Sequence, residues 1–233
     1  MRKGYAMAKQ LINKVKQVES FGERIIILDT ETTGLKPEND EVLSLAIVDT
    51  SGNTLFDHLI KPGRRKRWPE AQEIHGIKPA DVKNEKTLAE YADELAPYFD
   101  GSYLIVGYNV KFDIDMLKAS GLKMAKCTTF DVMSEYQKES DIKVKLSDCA
   151  RILGYGQFEA HGALADAKAT AYCFSKLLAN ERYRKICELE GQGMSKETAR
   201  ISAIQQSSSG CILPIVAIAT CALTATLAIL AVL

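Results

Sequence analysis

The apolar run Ile25-Ile26-Ile27-Leu28 reads as a first strand. Residues 42–48 are again apolar and rich in strand-forming side chains, Thr50-Ser51-Gly52-Asn53 is a turn cluster, and 54–60 reads as the returning partner, so a hairpin is expected beside the first strand. Elsewhere the spacing turns to threes and fours. Met7, Leu11, Val15 and Val18 predict a short amphipathic helix within 1–22, and 70–79 reads as a helical turn ending at Gly76. Leu88, Tyr91, Ala92, Leu95 and Phe99 predict a helix over 87–99. A short buried strand at 103–107 follows, ended by Asn109, and Phe112, Met116 and Leu117 form the stripe of the next helix. A strand at 127–130, helices at 132–138 and 146–153, a Gly-containing polar loop at 154–162 and a long helix at 163–179 complete the series, the last with Ala167, Ala171, Phe174 and Leu178 inward. A hairpin followed by strands alternating with helices predicts an α/β fold, a mixed five-stranded sheet with helices on its faces.

Beyond 180 the pattern becomes more polar. Residues 181–210 read as a partly helical linker ending in the flexible run Ser207-Ser208-Ser209-Gly210. Residues 211–233 carry no charged side chain, and as a helix they would reach about 35 Å, enough to cross a hydrocarbon core. This segment is expected to be a C-terminal transmembrane tail anchor; a buried terminal helix, suggested by its alanines and by Thr220, Thr224 and Thr226, is the alternative. Lys196 and Arg200 on its N-terminal side would keep the rest of the chain cytoplasmic. At the other end Lys9, Asn13, Lys14 and Lys16 interrupt any apolar stretch of secretory length.

Composition changes this picture little. Thirty basic residues balance thirty acidic ones among 233, so net charge argues neither for nor against a nucleic-acid partner. Cys127, Cys149, Cys173, Cys187, Cys211 and Cys221 are too dispersed for a zinc site or a disulfide framework, and are expected to be reduced and mostly in the core. Local charge is more informative. Lys61, Arg64, Arg65, Lys66 and Arg67 precede Trp68; the run reads either as a solvated loop or as phosphate contacts beside an indole stacking face.

Candidate chemistry begins directly after the first strand, where Asp29 and Glu31 are separated by one residue and so share a face. Like charges so close repel unless a cation lies between them, which makes the pair half of a metal site or else an ordinary acidic turn. Asp113 and Asp166 each lie near a helix start, where an acid is favoured in any case. The order decides: Asp29-x-Glu31, then Asn109-x-x-Phe112-Asp113, then His161 five residues before Asp166. With Ile74-His75-Gly76-Ile77 between the first two motifs, the chain from 24 to 179 resembles the DnaQ-like 3′ to 5′ exonucleases of the DEDDh type, which have a ribonuclease H-like fold.

The resemblance implies that Asp29, Glu31, Asp113 and Asp166 hold two Mg²⁺ ions, with Mn²⁺ as a substitute, about 4 Å apart on a scissile phosphodiester. It makes His161 the general base. Five residues of continuous helix rotate by about 500°, leaving His161 and Asp166 some 140° off a common face, so His161 is expected on the loop before the helix. The tyrosine subclass would need Tyr where Gly162 stands. The family pattern further implies that Thr32 to Gly34 meet the 3′ end, that Leu35 wedges against a base, and that Ile74, His75, Asn109 and Phe112 contact the terminal nucleotide. His58 has no role in this scheme. The domain expectation is therefore an N-terminal helix at 1–22, an exonuclease domain at 23–180, a linker at 181–210 and an anchor at 211–233. The expected activity is release of nucleoside 5′-monophosphates from a free 3′ end, with single-stranded DNA favoured over RNA. An exoribonuclease, a polymerase-associated proofreading subunit and a catalytically silent, membrane-tethered nucleic-acid-binding scaffold are the alternatives.

Overall fold

A computed structural model describes residues 13–207. In chain order the elements are α1 (Lys14–Glu19), β1 (Ile25–Thr32), β2 (Val42–Val48), β3 (Thr54–Leu59), α2 (Pro69–His75), α3 (Ala92–Leu95), β4 (Leu104–Gly107), α4 (Val110–Ala119), β5 (Thr128–Asp131), α5 (Val132–Ser140), α6 (Leu146–Leu153), α7 (Ala163–Ala179), α8 (Glu181–Gly191) and α9 (Lys196–Ser207). The strands form one five-stranded sheet in the order β3-β2-β1-β4-β5. β1 pairs antiparallel with β2 and parallel with β4; the outer pairs are β2–β3 antiparallel and β4–β5 parallel. The mixed α/β architecture expected from the pattern is the one observed.

The period of two along β1 divides the core. Ile25 and Ile27 point into a cluster with Ala46, Val48, Val106 and Phe130, covered by Ala167, Ala171 and Phe174 of α7. Ile26 and Leu28 point the other way, into a cluster with Leu45, Ile47 and Ile105, covered by Met116 and Leu117 of α4. The alternation continues past the apolar run: Asp29 and Glu31 follow Ile25 and Ile27 toward the α7 side, and Thr30 follows Leu28 toward the α4 side.

Several elements differ from the sequence reading. The expected helix at 87–99 is a chain of short turns, a 3₁₀ turn at Leu88–Tyr91, α3, and a second 3₁₀ turn at Ala96–Tyr98. Pro97 lies within it, where a ring without N–H interrupts the helical ladder. On α7 the fully packed position is Leu177, while Leu178 is only partly buried. Trp68 is not a stacking face: it is 3% exposed, packs with Leu43 and Val82, and its Nε1–H donates to the Ile77 carbonyl at 2.8 Å. The core continues past residue 180, because Tyr183 and Cys187 of α8 join the α7-side cluster. Tyr183 Oη–H donates to Glu135 at 2.9 Å, and Lys138 bridges Glu135 and Glu190. α9 adds a small cluster of its own, in which Ala199 and Ala203 meet Ile186 and Leu189.

Of the N-terminal helix, Lys14–Glu19 is described, with Val15 and Val18 buried; Met7 and Leu11 lie outside the described residues. The anchor expected at 211–233 also lies outside them, and no described helix is long and apolar enough to cross a membrane. Cys127, Cys149, Cys173 and Cys187 are free, the last three buried.

Candidate active site

β1 is the middle strand, and its C-terminal end carries the two motif carboxylates. Asp29, Glu31 and Asp166 each place a ligand oxygen such that all lie within 4.8 Å of one another. Asp166 comes from the first turn of α7, which crosses the same sheet face. Its Oδ2 accepts the backbone N–H of His161 at 3.0 Å, while Oδ1 is shut off from solvent without a hydrogen-bond partner. A buried carboxylate oxygen with nothing to accept from is costly unless a cation completes it.

Asp113 stands apart from that trio. It is 3% exposed at the start of α4, on the opposite sheet face, and its Oδ1 takes the N–H of Thr30 at 3.1 Å and the Thr30 hydroxyl at 2.8 Å. Thr30 is thus a structural member of the site that motif reading passed over; the signal was its place between two acids on a strand, where its side chain must face the other way. Asn109, with φ 70°, turns the chain from β4 into α4, and its N–H donates to Asp131 Oδ1 at 2.9 Å.

The electrostatics match crowded carboxylates. Burial, then Asp113, Asp166 and Glu31, push Asp29 well above the usual carboxylate range. Burial followed by the charges of Asp166 and Asp113 lifts Glu31 to about 7. Burial lifts Asp113 to about 7 despite the opposing Thr30 hydrogen bonds. Asp166 is raised by burial against the His161 N–H that favours its anion. Four hard oxygen donors that resist ionisation together suit divalent cations.

His161 occupies the loop before α7, exposed, with φ 70°. It therefore does not share a regular helix with Asp166, and it lines the same cleft as Glu31. That cleft, about 460 Å³, is bounded by Thr32, Gly34, Leu35, Ile74, His75 and Phe112. Leu35 is 81% exposed and Ile74 61% exposed, so both present apolar surface to the opening. Phe112 is half-buried and rests on the α4-side core. His75 is fixed from both ring nitrogens: Ile77 N–H donates to Nδ1 at 3.0 Å, which leaves Nε2–H to donate to the Thr32 carbonyl at 3.2 Å. Burial lowers its pKa, which favours the neutral ring. The cleft thus gathers every site residue named from sequence except Asn109, Asp113, Asp29 and Asp166, which do not line it. His58 lies away from it, stacked on Tyr91.

Comparison with known proteins agrees with this geometry. The family model RNase_T, described as exonuclease, matches residues 26–174. The epsilon subunit of DNA polymerase III from Escherichia coli K12 is 33% identical over 168 residues, covering 64% of this chain and 68% of that subunit. A PolC-type DNA polymerase III from Thermotoga maritima is 28% identical over 207 residues, covering 84% of this chain but 15% of that polymerase, so the chain spans a small part of such a relative. Among solved structures, exonuclease X in complex with 5′ overhanging duplex DNA superposes with a TM-score of 0.55 at 21% identity, covering 77% of this chain and 99% of that one. Escherichia coli exonuclease I with a dA16 oligonucleotide gives a TM-score of 0.55 at 19% identity, covering 69% and 42%. The structural likenesses establish the ribonuclease H-like fold, and the match over 26–174 joined to the epsilon-subunit relative places this chain in the DnaQ-like 3′–5′ exonuclease family.

Proposed function

We propose that the chain hydrolyses terminal phosphodiesters at a free 3′ end, releasing nucleoside 5′-monophosphates, with single-stranded DNA as the preferred substrate. The observation that carries this reading is the convergence of Asp29, Glu31 and Asp166 around a partnerless, buried Asp166 oxygen, beside an open cleft edged by Leu35, Ile74 and Phe112. DNA stands ahead of RNA because the solved neighbours hold a 5′-overhanging duplex and dA16.

Asp29, Glu31, Asp113 and Asp166 would hold divalent ions, Mg²⁺ or Mn²⁺, which supply charge neutralisation at the phosphodiester and at the departing 3′ oxygen. Leu35 and Phe112 bracket the terminal base, and Ile74 supports it. The Thr32–Gly34 backbone, fixed by His75, faces the 3′ hydroxyl. His161, on the open side of Glu31, takes the proton of the attacking water on an imidazole nitrogen. Its backbone N–H stays on Asp166, which ties the loop that carries the base to that carboxylate. The segment 211–233 is proposed as the anchor that tethers this activity to a membrane; recovery of the protein from a washed membrane fraction, and its release after truncation at Gly210, test that.

A panel of 3′-labelled single-stranded DNA, duplex DNA and RNA, incubated with Mg²⁺, Mn²⁺ or EDTA, tests the function. Metal-dependent release of mononucleotides, lost in Asp29→Ala, is expected. Intact labels with every substrate and metal would overturn the reading in favour of a silent binding domain, and faster cleavage of RNA would make the chain an exoribonuclease.

A further inference from the structure

The loop that presents Leu35 is built around a buried carboxylate from outside the motif. Asp40 is 4% exposed. Its Oδ2 accepts the Lys36 N–H at 3.0 Å, and its Oδ1 accepts the Thr33 hydroxyl at 3.2 Å, so the side chain closes the 33–40 turn from inside. Gly34 lies directly over it: a Cβ there would come 2.5 Å from Oδ2, a distance side chains do not tolerate. The turn is also tied to its own strand register, Thr33 N–H to the Glu41 carbonyl at 2.8 Å and Glu41 N–H to the Thr33 hydroxyl at 3.0 Å.

The basic run closes the other side. Arg65 places Nε at 3.1 Å and Nη2 at 2.8 Å from Asp40 Oδ1, and Glu41 accepts the backbone N–H groups of Gly63, Arg64 and Arg65 at 2.7 to 2.9 Å. Arg65 is not a free solvated cation. Its guanidinium is pinned at the cleft wall that also carries Leu35 and Ile74, and its side chain remains 45% exposed. An apolar side chain 81% exposed at a loop tip can wedge between bases only if the loop beneath it resists being pushed back.

We propose that Asp40 is a positioning residue for substrate: with Arg65 it holds the 33–36 turn and Leu35 at the height needed to grip the 3′-terminal nucleotide. The proposal rests on the exonuclease reading above. It assigns Asp40 and Arg65 to substrate grip and leaves metal binding and proton transfer to the other acids and His161.

The test compares wild type with Asp40→Ala, Asp40→Asn and Arg65→Ala by steady-state cleavage of 3′-labelled single-stranded DNA, Mg²⁺ titration and thermal melting. Asp40→Ala is expected to raise KM on the order of tenfold, with kcat within about threefold and the Mg²⁺ midpoint unchanged. Asp40→Asn keeps the shape but loses the ion pair and falls between. The Asp40→Ala/Arg65→Ala double variant should be little worse than Asp40→Ala alone, because the two act as one unit. If Asp40→Ala does not fold, Asp40→Asn and Arg65→Ala carry the same KM test. Folded variants with unchanged KM, or a loss confined to kcat or to the Mg²⁺ midpoint, would overturn the proposal while wild-type cleavage leaves the exonuclease reading standing. A wild type that cleaves no oligonucleotide overturns both.

Discussion

One oxygen of Asp113 accepts both the N–H of Thr30, at 3.1 Å, and its hydroxyl, at 2.8 Å, across 83 residues of chain. This contact fixes an acid of α4 against the strand that carries Asp29 and Glu31. Thr30→Val keeps the volume and removes the hydroxyl. The expected result is a loss of about 1–3 kcal/mol in chemical denaturation without metal, since a buried carboxylate is left one donor short. A weaker Mg²⁺ midpoint with KM for DNA unchanged should accompany it in activity titrations.

The pH dependence of the metal-free fold follows from the same crowding. Glu31 and Asp113 are raised to about 7 and Asp29 is raised well above the usual carboxylate range, so the folded state holds protons that the unfolded chain has released. Their contribution is fully present below the unfolded carboxylate range and is lost as pH climbs through about 7. Asp40 and Glu41 are lowered, because hydrogen bonds from Lys36, and from the loop amides at Arg65, outweigh the burial that raises them; their contribution is lost only in stronger acid. Urea midpoints in EDTA should therefore fall between pH 5 and pH 8, and saturating Mg²⁺ should flatten or reverse that fall.

For His161 the informative substitution is Asn, which tolerates the left-handed backbone seen there at φ 70° and lacks only the imidazole. His161→Asn should lower kcat by about 10²–10⁴ while the melting temperature and Mg²⁺ midpoint hold. A loss below about tenfold at pH 7 would remove His161 from the role of base.

The exonuclease match ends at 174, yet packing does not. Tyr183 is fully buried with its hydroxyl on Glu135. Tyr183→Ala should cost about 3–5 kcal/mol, like other large aromatic truncations, and Tyr183→Phe about 1 kcal/mol through the lost hydrogen bond. Denaturant melts of the two variants separate the packing contribution from the polar one.

Much of this was legible from residue order. The helices at Leu146–Leu153 and Ala163–Ala179 follow their apolar stripes, the αL cap at Gly76, φ 76°, ends α2 where a glycine is most at ease, and His161 falls outside α7 as the rotation argument required. What was not legible depends on long-range packing. Nothing in the run from Arg64 to Trp68 distinguishes a cation aimed at phosphate from one held by Asp40, or an indole aimed at a base from one folded over Val82. Nor does spacing reveal that Asp113 comes from the opposite sheet face and reaches the site through Thr30. The 87–99 stripe is truly apolar inward, but Pro97 prevents one ladder from running through it.

β1 pairs with β2 over Ile27 to Thr32 and with β4 over Ile25 to Ile27, and the Thr30 N–H is held by Asp113, whereas among the described residues 156–160 donate no backbone hydrogen bond. Amide hydrogen exchange should divide the catalytic set accordingly: protons beside Asp29 leave only when the whole domain opens, and those just before His161 leave at rates near a free chain. Asp29 and Glu31 are built into the central strand, and any reshaping of the site during turnover has to come from the loop that brings the histidine.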